Sequence, residues 1–199
     1  LRVDPTDLAA FRQANAAEIH DAVINLFHKW DNTRRFLDSA DARTGTLVTT
    51  GEGMKPWNAM GRNTGYILEN FRAALDEPGE WFLDRNGTLF YMPRAGEDMT
   101  RAEVFAPVID TLLALKGDAA AGKFVEHITF KGLSFQHSQW LTPPGGFEPT
   151  QAAAPVEAAV MADGARWVVF ENCEIAHTGV YGIWFRKGCT DDALRHCLV

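Results

Sequence analysis

Phe170-Glu-Asn-Cys173-Glu-Ile175-Ala-His177 decides the fold, because the same pattern stands upstream as Phe130-Lys-Gly-Leu133-Ser-Phe135-Gln-His137 and returns in part downstream as Leu194 through Val199. The upstream copy lies at an offset of 40 residues and the downstream copy at 24. At the shorter offset Gly164 falls on Gly188, Phe170 on Leu194, Cys173 on Cys197 and Ile175 on Val199, and Ala159-Val160-Met161 overlies Ile183-Trp184-Phe185. The loop Leu141 to Thr150, rich in Pro and Gly, accounts for the extra length of the longer offset. A repeat of this size, with alternating apolar residues and Gly or Asn at its corners, reads as a solenoid of short parallel strands. Each coil buries its inward face only against its neighbours, so residues 109–199 are expected to begin a parallel β-helix in an all-β chain.

Upstream of this repeat, residues 1–108 read as a β-rich accessory module with a sandwich-like character and one or two short helices. Residues 6–17 are expected to form a short helix with Thr6 as its cap and Leu8 and Phe11 on one face. Ala22–His28, Arg35–Asp38 and Thr46–Thr49 are β-branched or aromatic runs separated by turn signals. Tyr66–Leu75 reads as a helix of one or two turns, with Ile67, Phe71 and Leu75 spaced four apart. Asn86-Gly87 between Glu80–Asp84 and Thr88–Met92 supplies the positive φ angles of a tight hairpin turn. The module boundary is placed near residues 105–110, and Thr111–Leu115 is the first solenoid strand. Trp30, Trp57 and Trp81 are assigned to the core or an interface of the accessory module.

Composition narrows the function classes. The chain has 199 residues, 46% of them hydrophobic, and a net charge of −7. Basic residues are scattered, which argues against a nucleic-acid partner. No run approaches the ~20 apolar residues of a membrane span. The sequence starts at Leu1 and stops at Val199 in mid-alternation, so a fragment of a longer solenoid is expected, truncated at its C-terminus. Three cysteines match neither a disulfide framework nor a zinc pattern. Cys173 and Cys197 share one repeat position and are expected to be inward-facing free thiols about 4.8 Å apart, the strand spacing.

The stretches Pro78-Gly-Glu-Trp-Phe-Leu-Asp84, Gly87-Thr-Leu-Phe-Tyr-Met-Pro93, Ile128 through His137 and His177-Thr-Gly-Val-Tyr-Gly-Ile183 resemble, in this order, segments of bacterial right-handed parallel β-helix proteins. The resemblance covers about residues 20–199 and includes enzymes similar to glycoside hydrolase families 141 and 120. It implies a right-handed β-helix beside a β-sandwich-like module, a secreted, periplasmic or cell-surface location, and hydrolysis of plant-type or other complex polysaccharides by a pair of surface carboxylates. Its motifs are corner, core and hairpin residues, so they assign that pair to no particular position, and coils beyond Val199 are an alternative place for it.

Glycoside hydrolysis needs two carboxyls, about 5–5.5 Å apart for retention and about 6.5–9.5 Å for inversion. Adjacent coils supply such spacings when each presents an outward acid. Glu171 and Glu174 are expected to face outward, but their ladder neighbours are Lys131 and Ser134 on one side and Arg195 and Leu198 on the other. Glu174 and Asp163 are thus weak catalytic candidates, weighed against a solvated charge and a turn-closing aspartate. Asp191 and Asp192 read as a polar corner.

His137 and His177 recur at one repeat position and are either a stacked structural corner or, with Trp140 and Tyr181, part of a sugar-binding groove. Trp184 alternates with Ile183 and Phe185 and is expected on the outer face, as a sugar platform or a packing residue. The loop 141–150 is the candidate wall of a cleft. No cofactor or metal is expected, since two histidines without a carboxylate are an incomplete ligand set. The leading expectation is a glycoside hydrolase with a poly- or oligosaccharide substrate; the alternatives are a polysaccharide lyase and a non-catalytic β-helix adhesin or carbohydrate-binding protein.

Overall fold

The structure, a computed structural model, describes residues 1–53, 55–151 and 155–199. The chain divides into two compact units, Leu1–Ala102 with Thr142–Ala154, and Glu103–Leu141 with Pro155–Val199. Both are mostly β.

In the first unit, strands β1 (Val23–Phe27), β2 (Asn32–Asp41), β3 (Thr46–Thr49) and β4 (Gly65–Glu69) form one antiparallel sheet in the order β3-β2-β1-β4. Alternation on β2 turns Thr33, Arg35 and Leu37 to the buried side. Leu37 joins Leu8, Phe11, Ile24, Leu26, Leu47 and Phe71 in an apolar cluster, with the Phe11 and Phe71 rings 4.4 Å apart. A separate hairpin of β5 (Trp81–Leu83) and β6 (Leu89–Tyr91) forms where expected, but of Asn86-Gly87 only Gly87, at φ 86°, takes a positive φ.

Two helix expectations need correction. The segment 6–17 holds a short 3-10 turn at Ala9–Arg12, and the α-helix α1 starts later, at Ala16–Asp21. The cap is Asn15, whose side chain accepts from the Ala17 and Glu18 amides while the Glu18 carboxylate accepts from the Asn15 amide. Such a capping box satisfies two orphan donors reciprocally. Thr6 instead donates its hydroxyl to Asp4.

Tyr66–Leu75 is no helix. Its first half is β4, paired in register with β1 from Val23↔Glu69 to Phe27↔Gly65, and Arg72–Ala74 form a 3-10 turn. The spacing of Ile67, Phe71 and Leu75 misled because Asn70, at φ 63°, breaks the chain between strand and turn. Of the core-or-interface expectation for the three tryptophans, the core half is corrected: Trp30, Trp57 and Trp81 are 62%, 58% and 66% exposed.

Tyr66 on β4 donates its hydroxyl to Asp7. Partial burial, and then the Asp7 hydrogen bond and charge, push its phenol up to about 12. The raised value means that the protonated phenol in this site favours the fold below the ordinary tyrosine range, and the contribution is lost as pH rises through about 12. In an ultraviolet titration, one of the 3 tyrosines should ionise near that pH, and Tyr66→Phe should remove that step.

The second unit is built from stacked coils. The first coil comprises β7 (Leu113–Lys116), β8 (Val125–Glu126), β9 (Thr129–Lys131) and β10 (Ser134–Ser138), and the second β11 (Ala158–Asp163), β12 (Ala165–Arg166), β13 (Val169–Glu171) and β14 (Glu174–Thr178). The third holds β15 (Tyr181–Phe185) and β16 (Ala193–Arg195), with single parallel bridges at Thr190 and Leu198 in the other two places. Four small parallel sheets result, with orders β7-β11-β15, β8-β12, β9-β13-β16 and β10-β14. They stack in register as the early coils of a β-helix do.

The register matches the sequence repeat at Phe130↔Phe170↔Leu194 and Phe135↔Ile175. It departs at β11–β15, where Val160 faces Ile183 and Ala162 faces Phe185, so the offset there is 23 rather than 24. The extra residue is taken up after Phe185, because Arg186 donates to the Ala162 carbonyl and Gly164 donates to the Lys187 carbonyl. A Cβ at Gly164 would lie 2.9 Å from the Gly117 carbonyl carbon, so this corner admits no larger residue.

The remaining corners are left-handed residues stacked coil on coil: His127, Trp167 and Asp191 at φ 54–58°, and Gly132, Asn172 and His196 at 52–64°. Inside, Phe170 is fully buried, stacked 4.8 Å from Phe130 and edge-on to Phe135 and Phe185. Cys173 and Cys197 are free thiols directed at the Phe130 and Phe170 carbonyls one coil back.

Candidate functional site

Trp184 lies outside the core, as alternation requires, since Ile183 and Phe185 both pack inward. In the ladder it stands on Met161, which stands on Ala114. Trp184 and Tyr181 are each 38% exposed and meet edge to face at 6.0 Å. The Arg186 guanidinium sits 5.3 Å from the Trp184 ring centre and pairs with Asp163 at 3.4 Å. The second and third coils thus bring together three of the sequence candidates, Tyr181, Trp184 and Asp163, and add Arg186. Asp163 does not close its own turn, as expected from Ala-Asp-Gly; its carboxylate reaches across to the next coil.

His137 and His177 occupy a stacked corner. Both are left-handed, at φ 61° and 52°, and their rings lie parallel, 5.0 Å apart. Phe105 stacks on the free face of the pair, 4.2 Å from His137, making a three-ring column. Trp140 is half-buried beside this corner, and its backbone nitrogen would be 2.6 Å from a Cβ at Gly179, so residue 179 must be glycine for the coils to close.

Three outward carboxylates of the second unit, Glu126, Asp163 and Glu171, are held by a base. Lys131 binds Glu171 at 2.9 Å, and this bond, followed by the lysine charge, holds the Glu171 carboxyl below the usual range. Arg166 does the same to Glu126. A proton donor needs the opposite shift, so neither suits general-acid work. Glu174 differs, because its partners are the neutral donors Ser134 Oγ at 3.1 Å and Gln136 Nε2 at 2.7 Å. Its ladder neighbours are Ser134 and Leu198, as the sequence indicates, so it has no acid one coil away. Asp192 accepts from the Val168 amide at 2.8 Å and serves its corner. Among the described residues no three His, Cys, Asp or Glu side chains are placed to hold a metal ion.

The loop 142–150 groups with the first unit. Arg34 and Phe147 exchange backbone hydrogen bonds at 2.8 Å, and Arg35 forms a buried ion pair with Glu148 at 2.7 Å. Sequence reasoning also passed over the corner where Trp167 stacks 4.7 Å from His127, with Arg166 against the Trp167 and Phe124 rings. The 40-residue offset that aligned His137 with His177 aligns His127 with Trp167 and was the available signal.

Compared with known proteins, the sequence matches no family model and no curated protein. The fold is similar to a solved structure described as a glycoside hydrolase, with a TM-score of 0.74 and 22% identity. The match covers 98% of this chain and 41% of the solved one, so the chain spans less than half the length of that protein. The likeness defines the class of fold, a β module with parallel β-helix coils.

Proposed function

We propose that the chain is a portion of a carbohydrate-active enzyme, a glycoside hydrolase of right-handed β-helix type that acts on plant-type or complex polysaccharides outside the cytoplasm. The observation that carries this reading is the outer platform of Trp184 and Tyr181 with the Arg186–Asp163 pair beside it. Carbohydrate sites combine an aromatic face for the sugar ring with a few fixed polar groups for its hydroxyls. The fold likeness to a glycoside hydrolase supports the same reading. Glu174 is the proposed acid of this window, an outward carboxylate whose partners are the neutral donors Ser134 and Gln136, with its partner acid supplied from elsewhere in the enzyme; His137, His177 and Trp140 are proposed to contribute to sugar binding.

On this reading Trp184→Ala should weaken oligosaccharide binding about tenfold, the scale of one lost stacking contact, while the melting temperature stays near the parent's. Glu174→Gln should abolish turnover with little change in binding. Unchanged turnover in Glu174→Gln removes Glu174 from the reaction. A second reading, a non-catalytic carbohydrate-binding β-helix, is favoured by the absence of a stacked acid pair in the described ladders, and binding without product release would establish it.

A further inference from the structure

The hairpin loop between β1 and β2 carries Trp30 at its tip, and the 3-10 turn Pro56–Asn58 carries Trp57. The residues next to these tryptophans are bonded to each other in a buried position: Asn58 Nδ2 donates to Asp31 Oδ1 at 2.5 Å, with Asn58 and Asp31 only 6% and 9% exposed. This bond holds the two segments in fixed relation. Both indoles nevertheless project into solvent, which costs apolar surface that neither segment covers.

A cleft of about 600 Å³ lies between them, within the size range of small-ligand sites. Beside the two tryptophans its walls include His28, Lys29, Arg62 and Asn63, and among the described residues no carboxylate lines it. Lys29 Nζ lies 5.1 Å from the Trp30 ring centre and Lys55 Nζ 5.5 Å from that of Trp57. Each stacking surface therefore has an ammonium beside it, in a chain whose overall charge is −7.

We propose that this cleft is a binding site for an acidic oligosaccharide, with uronate rings stacked on Trp30 and Trp57 and their carboxylates received by Lys29 and Arg62. Flat pyranose faces match exposed indoles, and a carboxylate on the ring matches the neighbouring cations. The chain's net negative charge repels long polyanions such as nucleic acid, whereas a short oligosaccharide meets only the local field. The site belongs wholly to the first unit and does not depend on the hydrolase reading, because it requires binding and no turnover.

The test is calorimetric and fluorescence titration of the intact chain with tetragalacturonate, with neutral xylotetraose and a single-stranded oligonucleotide alongside. Tetragalacturonate should bind, quench tryptophan fluorescence and weaken as salt is raised, with xylotetraose at least about tenfold weaker. Trp30→Ala and Trp57→Ala should each lose about tenfold in affinity, and Arg62→Ala should reduce the preference for the acidic sugar. Since both indoles are exposed, these variants should keep the parent's circular dichroism and melting temperature. Absence of tetragalacturonate binding, affinity unaltered in both tryptophan variants, equal affinity for xylotetraose, or tighter binding of the oligonucleotide would each overturn the proposal.

Discussion

Replacing Phe170 by alanine should cost about 3–5 kcal/mol, the range for emptying a large aromatic site in a packed core. Phe170 is fully buried and links successive coils, stacked on Phe130 with Phe135 and Phe185 against its edges. The coil above cannot collapse into the void, because parallel backbone hydrogen bonds at Phe130↔Phe170↔Leu194 fix the coil spacing. Urea titration should show the midpoint falling with an unchanged slope, and Phe170→Leu, which fills more of the site, should lose less. A loss below about 1 kcal/mol in the alanine variant would mean that this column of rings is not the core of the coils.

Glu148→Ala should be comparably damaging, at about 3–5 kcal/mol, for a different reason. Arg35 and Glu148 are each 8% exposed at the side chain and pair at 2.7 Å, and Arg35 also donates to the Gly145 carbonyl. Glu148 further accepts from the Lys55 amide through Oε1 and, through its backbone carbonyl, from the Lys55 ammonium. Removing the carboxylate leaves a guanidinium buried without its counter-charge, whereas removing both side chains leaves no buried charge unpaired. The double variant Arg35→Met with Glu148→Leu should therefore recover most of the loss. A double variant as unstable as the single one would show that the loop 142–150 is held by other contacts.

The solenoid was legible because its repeat is written directly in the sequence: inward Phe130, Phe170 and Leu194 and the corner residues His137 and His177 fall at constant offsets. The one-residue register change at β15 was hidden, since the additional residue lies in the Arg186-Lys187-Gly188 corner, where a gap leaves no apolar signature. The accessory module was less legible. Ile67, Phe71 and Leu75 satisfy a helical spacing, and only pairing of β4 with β1 decides for strand. The Arg35–Glu148 pair joins residues 113 apart in the chain, and no local pattern announces such a partner.

Of the site, the exposed position of Trp184 followed from alternation, and its link to Asp163 did not, because Arg186 bridges them from the adjoining coil. The core half of the expectation for Trp30 and Trp57 failed for a general reason. Tryptophan is usually buried in good part, yet here each sits in a turn, and a side chain at a turn has no sheet face to bury against.

The most direct measurement is analysis of the products formed when a natural chain containing these residues is incubated with xylans, fucosylated glycans and pectins. Release of reducing sugar without the ultraviolet absorbance of an unsaturated uronate is the predicted result and identifies hydrolysis. Appearance of that absorbance would contradict it in favour of a lyase, and no product from any of these polysaccharides would contradict the account of an enzyme.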